Sequence, residues 1–130
     1  MEIGGLKKDF EVWIPFQDAR VRIRHMRRED VREMTRTATV LEFDLNHQKQ
    51  ERFDGLKFDV LLGRAAVRGW EGFTVDGKDY PYSPEHCEEL MRGWALFARF
   101  VNEVCTDLQA LQAEEEKEKA KNSSRISGTE

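Results

Sequence analysis

Between Leu90 and Leu111, seven apolar residues (Leu90, Trp94, Phe97, Val101, Val104, Leu108 and Leu111) step by four and three alternately. That spacing places all of them on one stripe of an α-helix, a stripe that must be covered by something. Ser83-Pro84-Glu85 just upstream supplies a hydroxyl N-cap, a proline at the first helical position and an acid in the first turn. The sequence therefore predicts one long helix from Ser83 past Leu111, with Gly93 as the point where it bends or divides. Trp94 and Phe97 are too large for the holes of a tight two-stranded coiled coil, so the half up to about Val101 is expected in the domain core. Few apolar residues remain elsewhere to cover Val104, Leu108 and Leu111, so these are expected to meet a partner or another copy of the chain.

The rest of the chain divides by period. Val12, Ile14 and Phe16 alternate with Trp13 and Pro15, and Arg20, Arg22 and Arg24 alternate with Val21, Ile23 and His25. Alternation of this kind predicts a β-hairpin over 10–26, with Pro15 marking its first arm as an edge or a bulge. Val31, Met34, Ala38, Leu41 and Leu45 step by three and four and predict a helix over 28–47, opened by the acids Glu29 and Asp30. A polar break over 46–51 follows. A second helix is expected over 52–67, carrying Phe53, Leu56, Val60 and Val67 on one face and weakened by Gly55 and Gly63. The stretch 68–82 is irregular. Its Asp76-Gly77 pair signals a tight turn between very short strands at 73–75 and 78–80. The expected fold class is α+β and predominantly helical: an N-terminal β-hairpin, then three to four helices, the last one long. One domain is expected over 1–112. A charged helix end, from Glu114-Glu115-Glu116-Lys117-Glu118-Lys119, and a disordered tail are expected over 113–130.

Composition narrows the function classes. The 130 residues suit one domain, and the net charge of -4 lacks the basic footprint of a nucleic-acid binder. Arg20, Arg22, Arg24, Arg27 and Arg28 do form a basic stretch, which reads either as a phosphate-contacting strand or as an exposed edge strand defended by charge. The second reading fits an acidic chain better, so nucleic acid is not expected as a partner. No run approaches 18 uninterrupted apolar residues and the first nine have no apolar core of a signal peptide, so a cytoplasmic location and no membrane partner are expected. Cys87 and Cys105 read as reduced thiols on helices. His25, His47 and His86 fall in three separate elements, and His86-Cys87 is a single pair of soft ligands where a structural zinc site needs two. No nucleophile, base and orienting group come together, and no glycine-rich phosphate cradle is present. No catalytic residue, metal or cofactor is therefore expected, and the chain reads as a non-enzymatic protein-binding module.

A family pattern then enters. The run from Leu61-Leu62-Gly63-Arg64-Ala65-Ala66-Val67 into Arg68-Gly69-Trp70-Glu71-Gly72, then Asp76-Gly77-Lys78, then Tyr80-Pro81-Tyr82-Ser83-Pro84-Glu85 and Leu90, resembles the tail assembly chaperones of long-tailed bacteriophages. In that family a helix carrying a valine runs into a tryptophan-acid-glycine turn, followed by a strand-like piece with Asp-Gly and a proline-aromatic helix start. The opening strand pair and the acid-rich last helix ending at Lys121-Asn122-Ser123-Ser124 are similar too. The chain departs from the pattern in its last helix, which reads as continuous where the family has a break or a proline after the first turns.

The resemblance implies a non-enzymatic tail assembly chaperone of a phage or prophage. Its partners would be the tape-measure protein and the tail-tube protein. It would act in the host cytoplasm, be absent from the mature virion, and match the short form where a longer frameshifted form exists. Candidate protein-binding residues are Trp70 and Phe73 in the aromatic turn, and Val104, Leu108 and Leu111 on the seam, through which a homo-oligomer is also expected. The alternatives are a tail completion or other tail structural protein, a small DNA-binding regulator using the arginine strand, or an enzyme of a kind not visible in the sequence.

Overall fold

A computed structural model describes residue 1 and residues 10–128, with side chains through residue 122. The chain is α+β, with an N-terminal hairpin and a long C-terminal helix, as the sequence predicts. β1 (Glu11–Phe16) and β2 (Ala19–Arg24) are antiparallel, from Glu11 opposite Arg24 to Phe16 opposite Ala19. The turn is only Gln17-Asp18, with Gln17 at φ 55°. β5 (Val67–Glu71) pairs on the other side of β2, giving the order β1-β2-β5. Pro15 is thus on an edge strand, where its missing N–H costs no ladder bond. β2 is the middle strand, so the expectation that its arginines defend an edge is corrected. They line the outer face of a three-stranded sheet.

Alternation decides the two faces of that sheet. Val12, Ile14, Phe16, Val21, Ile23, Val67 and Trp70 are buried inward. On the outer face Arg22 reaches Glu11 at 2.8 Å, Arg68 reaches the same carboxylate at 3.2 Å, and Arg20 meets Glu71 at 2.8 Å. The Arg20 guanidinium also lies 4.4 Å from the Trp13 ring centre. The register shifts between Arg22 and Ile23, which leaves Arg68 as the extra residue of a bulge.

The helix expected over 28–47 is much shorter. α1 (Arg28–Thr37) ends at the Ala38 cap, and the chain then forms a separate hairpin of β3 (Thr39–Phe43) and β4 (Lys49–Phe53). Thr35, Thr37 and Thr39 each donate a hydroxyl hydrogen bond to a carbonyl four residues back, which competes with continued helix. Asp44 then builds the loop, its Oδ1 accepting from the Asn46 and Gln48 amides at 2.8 and 2.9 Å, with His47 at φ 61°. The expected helix over 52–67 becomes α2 (Gly55–Ala66), N-capped by Asp54, while Phe53 closes β4 and Val67 opens β5.

β6 (Thr74–Val75) and β7 (Lys78–Asp79) turn at Asp76-Gly77, both at positive φ, as the dipeptide predicts. Ser83 caps α3 (Pro84–Gly93), its hydroxyl accepting from the His86 amide at 3.0 Å. The single long helix expected from here is instead three. Trp94, in extended conformation, separates α3 from α4 (Ala95–Val104), and Thr106-Asp107 separates α4 from α5 (Leu108–Gly128). Asp107 Oδ1 accepts from the Ala110 amide at 3.1 Å, a cap that restarts the helix. α5 runs through the charged stretch to Gly128, and positions 129 and 130 of the expected tail lie outside the described residues.

Candidate protein-docking surface

The five residues expected to meet a partner lie in or against the chain's own core. Trp70 and Phe73 are 6% and 8% exposed, and Leu111 is fully buried. Val104 and Leu108 are half-buried against the same core. Phe97 gathers Phe16, Trp70, Phe73, Trp94 and Phe100, all with ring centres within 6.4 Å. Trp70 is fixed further by its indole N–H, which donates to the Tyr80 carbonyl at 2.8 Å, and Tyr82 donates its hydroxyl to the Val67 carbonyl at 3.0 Å. The breaks at Trp94 and Thr106-Asp107 fold the seam back on itself, so the inner sheet face and α2 cover what a straight helix would have left bare.

Burial pushes the Cys87 thiol up to about 11 and the Cys105 thiol up to about 12, so both stay protonated and poorly nucleophilic. Burial and a hydrogen bond to Glu89 push Tyr80 up to about 12. His86 stacks on Tyr80 and its Nδ1 lies 2.7 Å from the Pro81 carbonyl, a first-turn structural role. Among the described residues no group of three or more His, Cys, Asp or Glu could hold a metal ion, and no helix is long and apolar enough to cross a membrane.

A cleft of about 780 Å³ lies where the link from β2 to α1 meets the link from α4 to α5, and is lined by His25, Met26, Arg28, Val31, Arg32 and Thr106. Burial lowers the His25 pKa, and its Nδ1 is buried without a hydrogen-bond partner. Arg27 at its edge is already paired with Glu29 at 2.8 Å and Asp30 at 3.6 Å.

The β3–β4 hairpin is different in kind. It projects from between α1 and α2, tied at its base by Asp54 N–H donating to the Ala38 carbonyl at 2.9 Å. Directly opposed residues share a face, so Thr39, Leu41 and Phe43 lie with Phe53, Glu51 and Lys49. Leu41, Phe43 and Phe53 are 65%, 66% and 51% exposed, and Leu56 beside the base is 47% exposed. Phe53 touches Phe58, with ring centres 5.6 Å apart, which anchors one end of the apolar band to α2. The opposite face carries Val40 with Glu42, Gln50 and Arg52, of which Glu42 and Arg52 are paired at 2.7 Å. No strand of the described residues flanks the hairpin on either side. The residues that make this surface were legible as apolar but not as exposed. The signal was the Asp44-Leu45-Asn46-His47 turn chemistry between two alternating stretches.

The family model for the YdaY prophage protein matches residues 15–122. The chain belongs to the YdaY prophage protein family. The matched span begins at the end of β1 and takes in β2 to β7, α1 to α4 and α5 as far as residue 122, so the β3–β4 hairpin lies inside the YdaY unit and is not an appendage to it. No curated protein and no solved structure matches the chain.

Proposed function

We propose that this YdaY-family prophage protein is a non-enzymatic tail assembly chaperone that shields apolar helical segments of the tape-measure protein while the tail tube assembles. The observation that carries the reading is the β3–β4 hairpin, whose band of Leu41, Phe43 and Phe53 faces solvent, with Leu45 in its loop and Leu56 beside its base exposed as well. An apolar band on a soluble acidic chain marks a protein-interaction surface. Its strand spacing, close to 7 Å between Leu41 and Phe43, accepts apolar residues one helical turn apart on a client. A tape-measure protein exposes such stripes before the tube encloses it. The acidic balance of the chaperone, -4 overall, keeps the complex dispersed. A prophage origin and the resemblance of the 61–90 segment to tail assembly chaperones support the same client.

The DNA-binding alternative loses ground on one point. Arg20 and Arg22 are engaged by Glu71 and Glu11, which offsets the strand's positive charge. The test is co-expression with the tape-measure protein of the same prophage. The expected result is a soluble complex that co-purifies, with the tape-measure protein insoluble when expressed alone. Equal solubility of the tape-measure protein with and without this chain, and no co-purification, would overturn the reading.

A further inference from the structure

A hairpin of two strands with nothing on either edge is marginal by itself. The backbone register shows which groups remain unpaired. Asp54 N–H donates to the Ala38 carbonyl and Asp44 N–H to the Gln48 carbonyl, so the even-numbered residues of β4, Gln50 and Arg52, turn their N–H and C=O groups toward β3. Those of Lys49, Glu51 and Phe53 point outward along a free edge. The same edge carries alternating charge in the order Lys49, Gln50, Glu51, Arg52.

We infer that β4 pairs antiparallel with β4 of a second copy of this chain, in the register that places Gln50 opposite Gln50 of that copy. Among registers centred on residues 49–52, symmetry and charge leave this one. Two identical antiparallel strands are related by a two-fold axis perpendicular to the sheet, and that axis must pass beside a residue facing its own copy. Centring on Lys49, Glu51 or Arg52 sets a charge directly against the same charge, which is destabilising. Centring on Gln50 instead sets each Lys49 against Glu51 of the other copy, twice by symmetry, and Arg52 against Gln48. Lys49 and Glu51 are also the residues with outward backbone groups, so the oppositely charged pair is the hydrogen-bonded pair of the new ladder. The edge of β3 gives no such selection. Its only charge is Glu42, and registers centred on Val40 or Leu41 are equally free of conflict.

The pairing has a consequence for the docking surface. A perpendicular two-fold keeps both apolar bands on the same side of the four-stranded sheet. Leu41 and Phe43 of the two copies then lie about 14 Å apart, three strand spacings, with the paired lysines and glutamates between them. A dimer thus offers two parallel docking strips to one client. The inference concerns the chain alone and does not depend on what the client is.

The experiment uses the full chain without any client. Light scattering during gel filtration is expected to give twice the 15.2 kDa chain mass. Lys49→Glu and Glu51→Lys are each expected to raise the dimer dissociation constant about tenfold, because each creates two like-charge pairs. The double variant Lys49→Glu/Glu51→Lys is expected to restore it. Gln50→Cys is expected to form a disulfide-linked dimer under mild oxidation, since facing residues of a non-hydrogen-bonded pair come within disulfide reach. Native Cys87 and Cys105 are buried and do not compete. A monomeric wild type, a dimer indifferent to both charge reversals, or crosslinking through Leu41→Cys and not Gln50→Cys would each overturn the inference. Client co-purification could still succeed in any of those cases, so failure here is separable from failure of the chaperone reading.

Discussion

Gly63 in α2 lies directly against Met91 in α3, so close that a β-carbon built on Gly63 would overlap the Met91 Cγ. Both are buried, and the Cys87 thiol one turn before Met91 points at the Gly63 carbonyl at 3.6 Å. The glycine that weakens α2 as a helix is therefore what lets α2 and α3 pack at short range. Gly63→Ala gains about 1 kcal/mol of helix propensity but overpacks the contact at a cost of about 1–3 kcal/mol. The expected net is a destabilisation of about 1 kcal/mol, read by urea denaturation. Shortening the neighbour as well, in Gly63→Ala/Met91→Ala, is expected to cost less than the sum of the two single changes. Additive costs would show that the two residues do not share the contact.

Trp70 was a candidate for partner contact and is instead a core residue, and the two roles predict opposite outcomes. Trp70→Phe removes the indole donor to the Tyr80 carbonyl and leaves a void among Phe73, Tyr82 and Phe97. A loss of about 2–4 kcal/mol is expected, seen as a lower denaturation midpoint. Co-purification of the client at a temperature where the variant is still folded is expected to be unchanged. Unaltered stability with lost client binding would return Trp70 to the surface role.

The sequence carried most of what is periodic and local. Alternation at 12–24 located the sheet's hairpin, Asp76-Gly77 the small turn, and Ser83-Pro84-Glu85 the start of α3. The seam residues all pack in or against one core, but periodicity cannot show where a helix stops and a new one begins. Trp94 and Asp107 interrupt it without breaking the count. The hairpin of β3 and β4 was hidden because Val31, Met34, Ala38, Leu41 and Leu45 keep a helical step across a boundary that three threonines and Asp44 impose. β5 was hidden because its buried residues, Val67 and Trp70, are too few to show an alternating pattern and Val67 continues the apolar face of α2. The exposed band of the β3–β4 hairpin was hidden for a related reason: apolar residues ordinarily seek the core, and Leu41, Phe43 and Phe53 do not.

The two buried thiols set an alkaline limit. Cys87 and Cys105 ionise near 9.0 in the unfolded chain but only at about 11 and about 12 when folded, chiefly because burial disfavours the thiolate. Between those values the unfolded state holds fewer protons, so rising pH favours unfolding. Stability is expected to be level below about pH 9 and to fall above it by about 1.4 kcal/mol per pH unit for each thiol. Tyr80 and Tyr82, both shifted upward as well, steepen the loss above their ordinary value of 10.0. Denaturant midpoints between pH 8 and pH 10 would measure the slope. A Cys87→Ala/Cys105→Ala variant is expected to be less stable at pH 8 but flatter between pH 9 and pH 10. An identical slope in the variant would assign the alkaline loss to other groups.

Leu41→Ser/Phe43→Ser separates docking from folding. Both side chains are well exposed, and neither belongs to the buried core, so their removal is expected to change stability by no more than about 0.5 kcal/mol each. Their strand remains held by the β3–β4 ladder, the Asp44 loop and the Glu42–Arg52 pair on the opposite face. If the apolar band seats the client, the double variant should co-purify with little or no tape-measure protein at wild-type stability. It should also keep the dimer mass, because pairing along β4 uses backbone groups and Lys49–Glu51 contacts that the two serines do not touch. Asp44→Ala supplies the complementary case. It leaves the apolar side chains in place but deprives the Asn46 and Gln48 amides of their acceptor, loosening the turn that aligns the band. Client binding is expected to weaken without being abolished. Full binding by Leu41→Ser/Phe43→Ser would show that the hairpin is not where the client sits.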